Sequence, residues 1–199
     1  MPHQPQDLNA LIGSRICHDL ISPLGAIGNG VELLTMTGAG NSPEMQLISE
    51  SIENANARIR FFRIAFGAAA AGQSVSVAEI RSILRDMPRG DKVNYDWQPS
   101  ADMPRREVKL AFLLLQCFDT ALPWGGRVTV AVVGNDWAIT GEAEKLNATP
   151  AQWDLLDTDG TAGDVDAAHV QFALAPLAAA DMDRAISVER SATMLRVRF

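Results

Sequence analysis

The sequence predicts an α+β protein in two parts. An N-terminal antiparallel helical hairpin pairs with a second copy into a dimeric four-helix bundle, and an α/β sandwich follows it. Three observations carry this prediction. Apolar residues recur at close to 3.5-residue spacing through the first third of the chain, as in a bundle seam. Beyond an Ala/Gly-rich stretch, short strand patterns interleave with helical ones. The 199 residues, 47% hydrophobic and 21% charged, suit a folded globular chain large enough for two small domains.

The first helix is expected over about Leu8–Thr37 and the second over about Pro43–Ala71. Gly38-Ala39-Gly40 stops the first, Asn41 or Ser42 caps the second, and Pro43 suits its first turn. So short a connection makes the helices antiparallel neighbours. The seam runs through Leu20, Leu24, Ile27, Val31 and Leu34, then through Met45, Ile48, Ile52, Ala55, Ile59, Phe62, Phe66 and Ala69. Leu11, Ile12, Ile16, Ile21 and Leu33 fall outside it and need other partners, which a second hairpin supplies most economically. The composition shift over Gly67 to Ser76 places a boundary between a dimerisation and site domain, 1–72, and an α/β domain, 73–199. In the latter, strands are expected at Val93–Trp97, Arg127–Val133, Trp137–Thr140, Arg184–Val188 and Met194–Phe199. Helices are expected at Val77–Met87, Pro104–Leu122, Pro150–Leu156 and Ala167–Ala180, and Gly134-Asn135-Asp136 marks a hairpin turn.

Charge narrows the function. With 24 acidic against 17 basic residues the formal net charge is −7, which argues against non-specific binding to nucleic acid or anionic membrane. The longest apolar run, Leu110 to Leu115, is too short to span a bilayer, and no secretory signal is visible in Met1 to Ala10, so a cytoplasmic location is expected. Cys17 and Cys117 lie far apart without metal-ligand spacing. Adjacent helical positions point about 100° apart, so Cys17 and His18 do not form a nucleophile–base pair.

His18 is the histidine whose surroundings call for an explanation; His3 is terminal and His169 reads as structural. Residues three, four and seven away share its helical face: Leu11, Ser14, Arg15, Ile21, Ser22 and Gly25, with Asn29 a turn further. Apart from the two aliphatics this strip is polar or small. It predicts an outward-facing imidazole on a stripe that another protein's backbone can approach, with Ser14, Ser22, Gly25 and Asn29 as contact positions. Pro23, five residues on, removes a helical hydrogen bond and costs a few kcal/mol inside a helix.

His18-Asp19-Leu20-Ile21-Ser22-Pro23 resembles the H-(E/D)-L-x-x-P phosphoacceptor box of histidine kinase dimerisation domains. The longer stretch Arg15 to Leu34, with Gly25-Ala26-Ile27 and Asn29-Gly30, is similar to the ChpT-type histidine phosphotransferases of alphaproteobacteria. That resemblance implies a phosphorelay shuttle. His18 takes a phosphoryl group from the receiver-domain aspartate of a CckA-like hybrid histidine kinase and passes it to CtrA-like or CpdR-like response regulators. It also implies that the chain needs no cofactor of its own, the receiver supplying Mg²⁺. Neutral imidazole is a competent nucleophile near pH 7, and phosphoryl transfer mainly needs positioning and charge neutralisation. Asp19 then orients or tunes the imidazole or is a solvated helix charge, and Arg15 pairs with phosphate, with the receiver, or with solvent.

The alternatives are an ATP-dependent histidine kinase and a non-catalytic dimeric scaffold. The helix Val108–Leu122 running into Pro123-Trp124-Gly125-Gly126-Arg127-Val128 looks like a kinase N-box helix and its next strand. It offers Gln116 and Asp119 but no asparagine for Mg²⁺. No D-x-G-x-G is present; Asp157 to Gly163 is a loose echo with the wrong spacing. Ala173-Leu174-Ala175-Pro176-Leu177 stands where a glycine-rich lid belongs. The second domain is therefore expected to be a degenerate histidine-kinase ATPase-like sandwich that binds no ATP, buttresses the bundle and touches the receiver.

Overall fold

A computed structural model describes residues 8–37, 43–87, 93–157 and 165–199. Helix α1 spans Leu8–Thr37 and runs through Pro23 without interruption. Helix α2 spans Pro43–Ala65, with Glu44 in its first turn and Arg63 in its last, the charge order that the helix dipole favours. The two pack side by side. Gly30 lies so close to α2 that a β-carbon there would sit 2.4 Å from Ile48 Cγ1.

The expected seam divides into two heptad positions. Ile48, Ala55 and Phe62 are buried, whereas Met45, Ile52 and Ile59, each a heptad apart, are exposed. On α1, Leu20, Ile27 and Leu34 are half-buried while Leu24 and Val31 are exposed. The hairpin therefore consumes one edge of its apolar stripe internally and leaves the other on its surface. Ile16, expected to await a second copy, instead packs against the core of this chain.

Helix α2 stops six residues before the expected Ala71. The reason lies in a later helix, whose basic first turns take the carbonyls that a continuing helix would use. Arg105 donates to the carbonyls of Arg63 and Ala68 at 2.9 Å each, Lys109 to Gly67 at 3.0 Å and Arg106 to Ala69 at 3.2 Å. Burial holds the Lys109 ammonium below the usual lysine pKa, against the attraction of Asp181.

Strand β1 (Ser74–Val75) leads into α3 (Val77–Asp86), capped by the Ser76 hydroxyl on the Glu79 amide. Burial opposes the charge on Asp86 at its end, but hydrogen bonds from Ser82, Arg60 and Arg85 prevail and hold its carboxyl below the usual range. Then come β2 (Val93–Trp97), β3 (Met103–Pro104), α4 (Arg105–Ala121), β4 (Gly126–Val133) and β5 (Asp136–Glu142). Strands β1 and β3 form a two-residue antiparallel pair too short to leave a pattern in the sequence. Between α4 and β4 the chain turns at Gly125 and Gly126, both at positive φ. A β-carbon on Gly126 would meet the Glu142 carbonyl at 2.5 Å. The expected hairpin is present, with Gly134 at φ 63° between β4 and β5.

The chain closes with α5 (Pro150–Trp153), a 3₁₀ turn Asp154–Asp157, a second 3₁₀ turn Ala167–His169, α6 (Val170–Ala180), β6 (Ser187–Arg190) and β7 (Met194–Arg198). The helices expected over Pro150–Leu156 and Ala167–Ala180 are thus each part α and part 3₁₀. The strand expected from Arg184 begins three residues later. Arg184 instead bonds the carbonyls of Asn135 and Phe199 and the Glu107 carboxylate, after a left-handed Asp183 (φ 55°).

The main sheet has the order β2-β4-β5-β7-β6, parallel at β2–β4 and antiparallel elsewhere. Its inner face (Trp97, Val128, Val130, Trp137, Ile139, Leu195, Val197) is buried, and its outer face carries Arg127, Thr129, Thr140 and Arg196 at full or partial exposure. Helix α4 is the central rod of the core, buried without a break from Leu110 to Phe118. Its Phe112 ring contacts Phe61 of α2 at 4.6 Å and Trp97 of β2 at 6.4 Å between centroids. On the side toward α6, Phe118 meets Trp153, which meets Phe172.

Candidate functional site

His18 lies on α1, one turn after Arg15 and one before Ser22. The side chains of Ser14, Cys17 and His18 fall outside the described ones, as do residues 1–7 with His3 and residues 158–164 with most of the loose glycine echo. The remaining expected site residues are placed. Ser22, Gly25 and Asn29 are exposed along one face of α1, and a β-carbon on Gly25 would touch nothing within 4 Å. Gly30 is a glycine because α2 presses on it; none of the described residues presses on Gly25.

Asp19 and Arg15 are not solvated charges. Arg15 Nε donates to Asp19 Oδ2 at 2.9 Å, and its second nitrogen donates to the Ala168 carbonyl in the turn that opens α6. Arg15 therefore ties the helical turn that carries His18 to the C-terminal part of the chain. The side chains of Asp19 and Arg15 are 10% and 18% exposed. Within an ordinary helix an i,i+4 pair contributes a few tenths of a kcal/mol, but a shielded pair with a further backbone acceptor is held in one geometry.

The residue that the sequence reading missed is Arg58 of α2. Its guanidinium lies 3.9 Å from Asp19 Oδ2. It lines a groove between α1 and α2 together with Asp19, Ser22, Pro23, Ala26, Ser51 and Asn54. A signal was present: Ser51, Asn54 and Arg58 stand at i, i+3 and i+7, a polar stripe beside the apolar seam.

The other candidates separate from this site. His169 Nδ1 lies 2.7 Å from Asp166 Oδ1, and Asp166 also caps its amide, as befits a structural residue. On α4, Gln116 is buried with both side-chain amide atoms without a hydrogen-bond partner, and Asp119 accepts from the Tyr95 hydroxyl. Cys117 is wholly buried, and burial pushes its thiol well above the usual value. Among the described residues no cluster of His, Cys, Asp and Glu is arranged to hold a metal ion, and no helix is long and apolar enough to cross a membrane.

Residues 77–194 match the family described as histidine phosphotransferase C-terminal domain. The chain is 36% identical over 192 residues to the protein phosphotransferase ChpT of Brucella abortus (strain 2308), covering 94% of this chain and 91% of that protein. It also superposes on the solved structure of a bacterial phosphotransferase with a TM-score of 0.81 at 33% identity, covering 100% of this chain and 98% of the other.

Proposed function

The chain belongs to the histidine phosphotransferase family and its function is phosphotransfer, and from that premise we propose that it relays phosphoryl groups between receiver-domain aspartates through His18. The observation that supports this reading is the setting of the box. The turn carrying His18 is braced by the Arg15–Asp19 pair and flanked by a polar groove, and the exposed Ser22, Gly25 and Asn29 leave room for a partner. In the reaction a ring nitrogen lone pair of neutral His18 attacks the phosphorus of the receiver's acyl phosphate. The N–P bond forms as the O–P bond breaks, and the aspartate leaves as carboxylate with that electron pair. The proton on the other ring nitrogen is then released, and the reverse sequence loads the next receiver.

The partners in this reading are receiver domains, of a CckA-like hybrid kinase on one side and CtrA-like or CpdR-like regulators on the other. Mg²⁺ comes with the receiver, and the setting is the cytoplasm. Residues 1–72 act as the dimerisation and transfer unit. Residues 73–199 act as a kinase-derived sandwich that has lost its nucleotide. Filling of the space between α4 and α6 by Phe118, Trp153 and Phe172 supports that loss. The test is a transfer assay from a phosphorylated receiver with and without ATP. Label is expected on this chain in both, none is expected from ATP alone, and a calorimetric titration with Mg-ATP is expected to be flat at micromolar protein. Self-labelling from ATP would establish a kinase instead.

The exposed heptad edge (Leu24, Val31, Met45, Ile52, Ile59) supports a homodimer built as a four-helix bundle. Light scattering is expected to give twice the 21.4 kDa chain mass at micromolar protein. The double variant Ile52→Glu/Ile59→Glu is expected to shift the protein to monomer, since each unpaired carboxylate buried in such a seam costs several kcal/mol. A wild-type mass of one chain would refute the dimer.

A further inference from the structure

We propose that Arg58, on the second helix of the hairpin, is the cation that neutralises the phosphoryl group carried by His18; this rests on the reading of His18 as the phosphoacceptor. On an ideal helix Ser22 lies about 40° and Asp19 about 100° round from His18, on the same side. The groove walled by Ser22 and Asp19 therefore opens on the flank of His18, with Arg58 across it.

Charge points the same way. Asp19 is the sole carboxylate among the described residues lining the groove, yet it faces two guanidiniums, Arg15 and Arg58. These side chains carry an excess positive charge in a chain whose formal net charge is −7. The two arginines differ in commitment. Arg15 gives Nε to Asp19 and a further nitrogen to the Ala168 carbonyl. Arg58 stands 3.9 Å from Asp19, beyond hydrogen-bond length, with its side chain 25% exposed. A planar fork that, among the described residues, is held by charge at 3.9 Å rather than by a hydrogen bond suits a phosphoryl group, whose equatorial oxygens carry the charge during transfer. Ser22 and Asn54 add donors along the rim. Asp19 then competes with the phosphoryl group for the Arg58 fork rather than holding it, since Asp19 and Arg58 stand 3.9 Å apart.

The experiment phosphorylates the full-length protein with phosphoramidate, a small donor that bypasses any receiver, and follows the phosphohistidine by ³¹P NMR at neutral pH. A cation on the phosphoryl oxygens opposes protonation of the ring nitrogen, the step that releases phosphate. Arg58→Ala is therefore expected to shorten the half-life about tenfold, the span of a charge-assisted hydrogen bond. Arg58→Lys is expected to recover most of it. Arg63→Ala, which removes the same charge from an arginine paired with Glu79 on α3, is expected to leave it unchanged. Asp19→Asn lifts the carboxylate but leaves both guanidiniums, and is expected to lengthen it. A wild-type half-life in Arg58→Ala overturns the proposal, as does an Asp19→Asn half-life shortened to the Arg58→Ala value, which would make Arg58 a mere brace for Asp19. Label persisting in His18→Ala overturns the phosphoacceptor reading itself. Loss of label there, with Arg58→Ala unaltered, overturns the arginine's role alone.

Discussion

Replacing His18 by alanine is expected to abolish phosphoryl acceptance from a phosphorylated receiver while leaving the fold intact. Alanine is the strongest helix former, so α1 loses nothing in backbone propensity, and far-UV dichroism should match the wild type. No other described group is set up to substitute. His169 is tied to Asp166 and stands 6.3 Å from the Phe172 ring, and Cys117 is sealed inside α4 with its thiol kept protonated. Asp19 is held by Arg15, and transfer to it would give a base-labile acyl phosphate. Phosphate-affinity electrophoresis after acid and base treatment separates the cases. Wild-type label is expected to be acid-labile and base-stable, and the variant is expected to carry none. Base-stable label of wild-type intensity in His18→Ala would end the assignment.

The second large effect is expected at Phe112. Its ring is fully buried on α4 between Phe61 of the hairpin and Trp97 of the sheet, so it joins both parts of the molecule. Phe112→Ala is expected to cost about 3–5 kcal/mol, the usual range for emptying an aromatic site that cannot collapse. For a chain of this size that lowers the melting temperature by about 10 °C. Helical dichroism reports mainly on the hairpin and α4, and fluorescence on the buried Trp97, Trp137 and Trp153. Both transitions are expected to shift together, because Phe61, Ile64 and Ala65 of α2 belong to the same core as α4. Val133→Ala, at a site 79% exposed, is expected to change stability by less than about 0.5 kcal/mol. If fluorescence shifted while the helical transition stayed in place, the hairpin and the sandwich would be unfolding separately.

Much of this was legible residue by residue. Helix α1 begins and ends as its pattern predicts, through Pro23, because thirty residues of helical periodicity outweigh one lost hydrogen bond. The β4–β5 hairpin follows from Gly134-Asn135-Asp136 between two alternating segments. The misjudged points share one cause. The early end of α2, the late start of β6 and the packing of Ile16 all depend on residues far away in sequence: Arg105 and Lys109, the carbonyls of Asn135 and Phe199, and the core residues that Ile16 packs against.

By itself the sequence determined that a long helical hairpin exists, which residues form its apolar stripe, and that an alternating α/β segment follows. These are local properties, set by side-chain periodicity and backbone preference over neighbouring residues. Only the tertiary structure decided which half of the seam stays on the surface, that Arg15 reaches Ala168, and that Asp19 sits between two arginines from different helices. Those depend on the distance between helices and the angle at which one lies on another. That is a balance of packing and charge among residues remote in the chain, and periodicity along one segment carries no record of it.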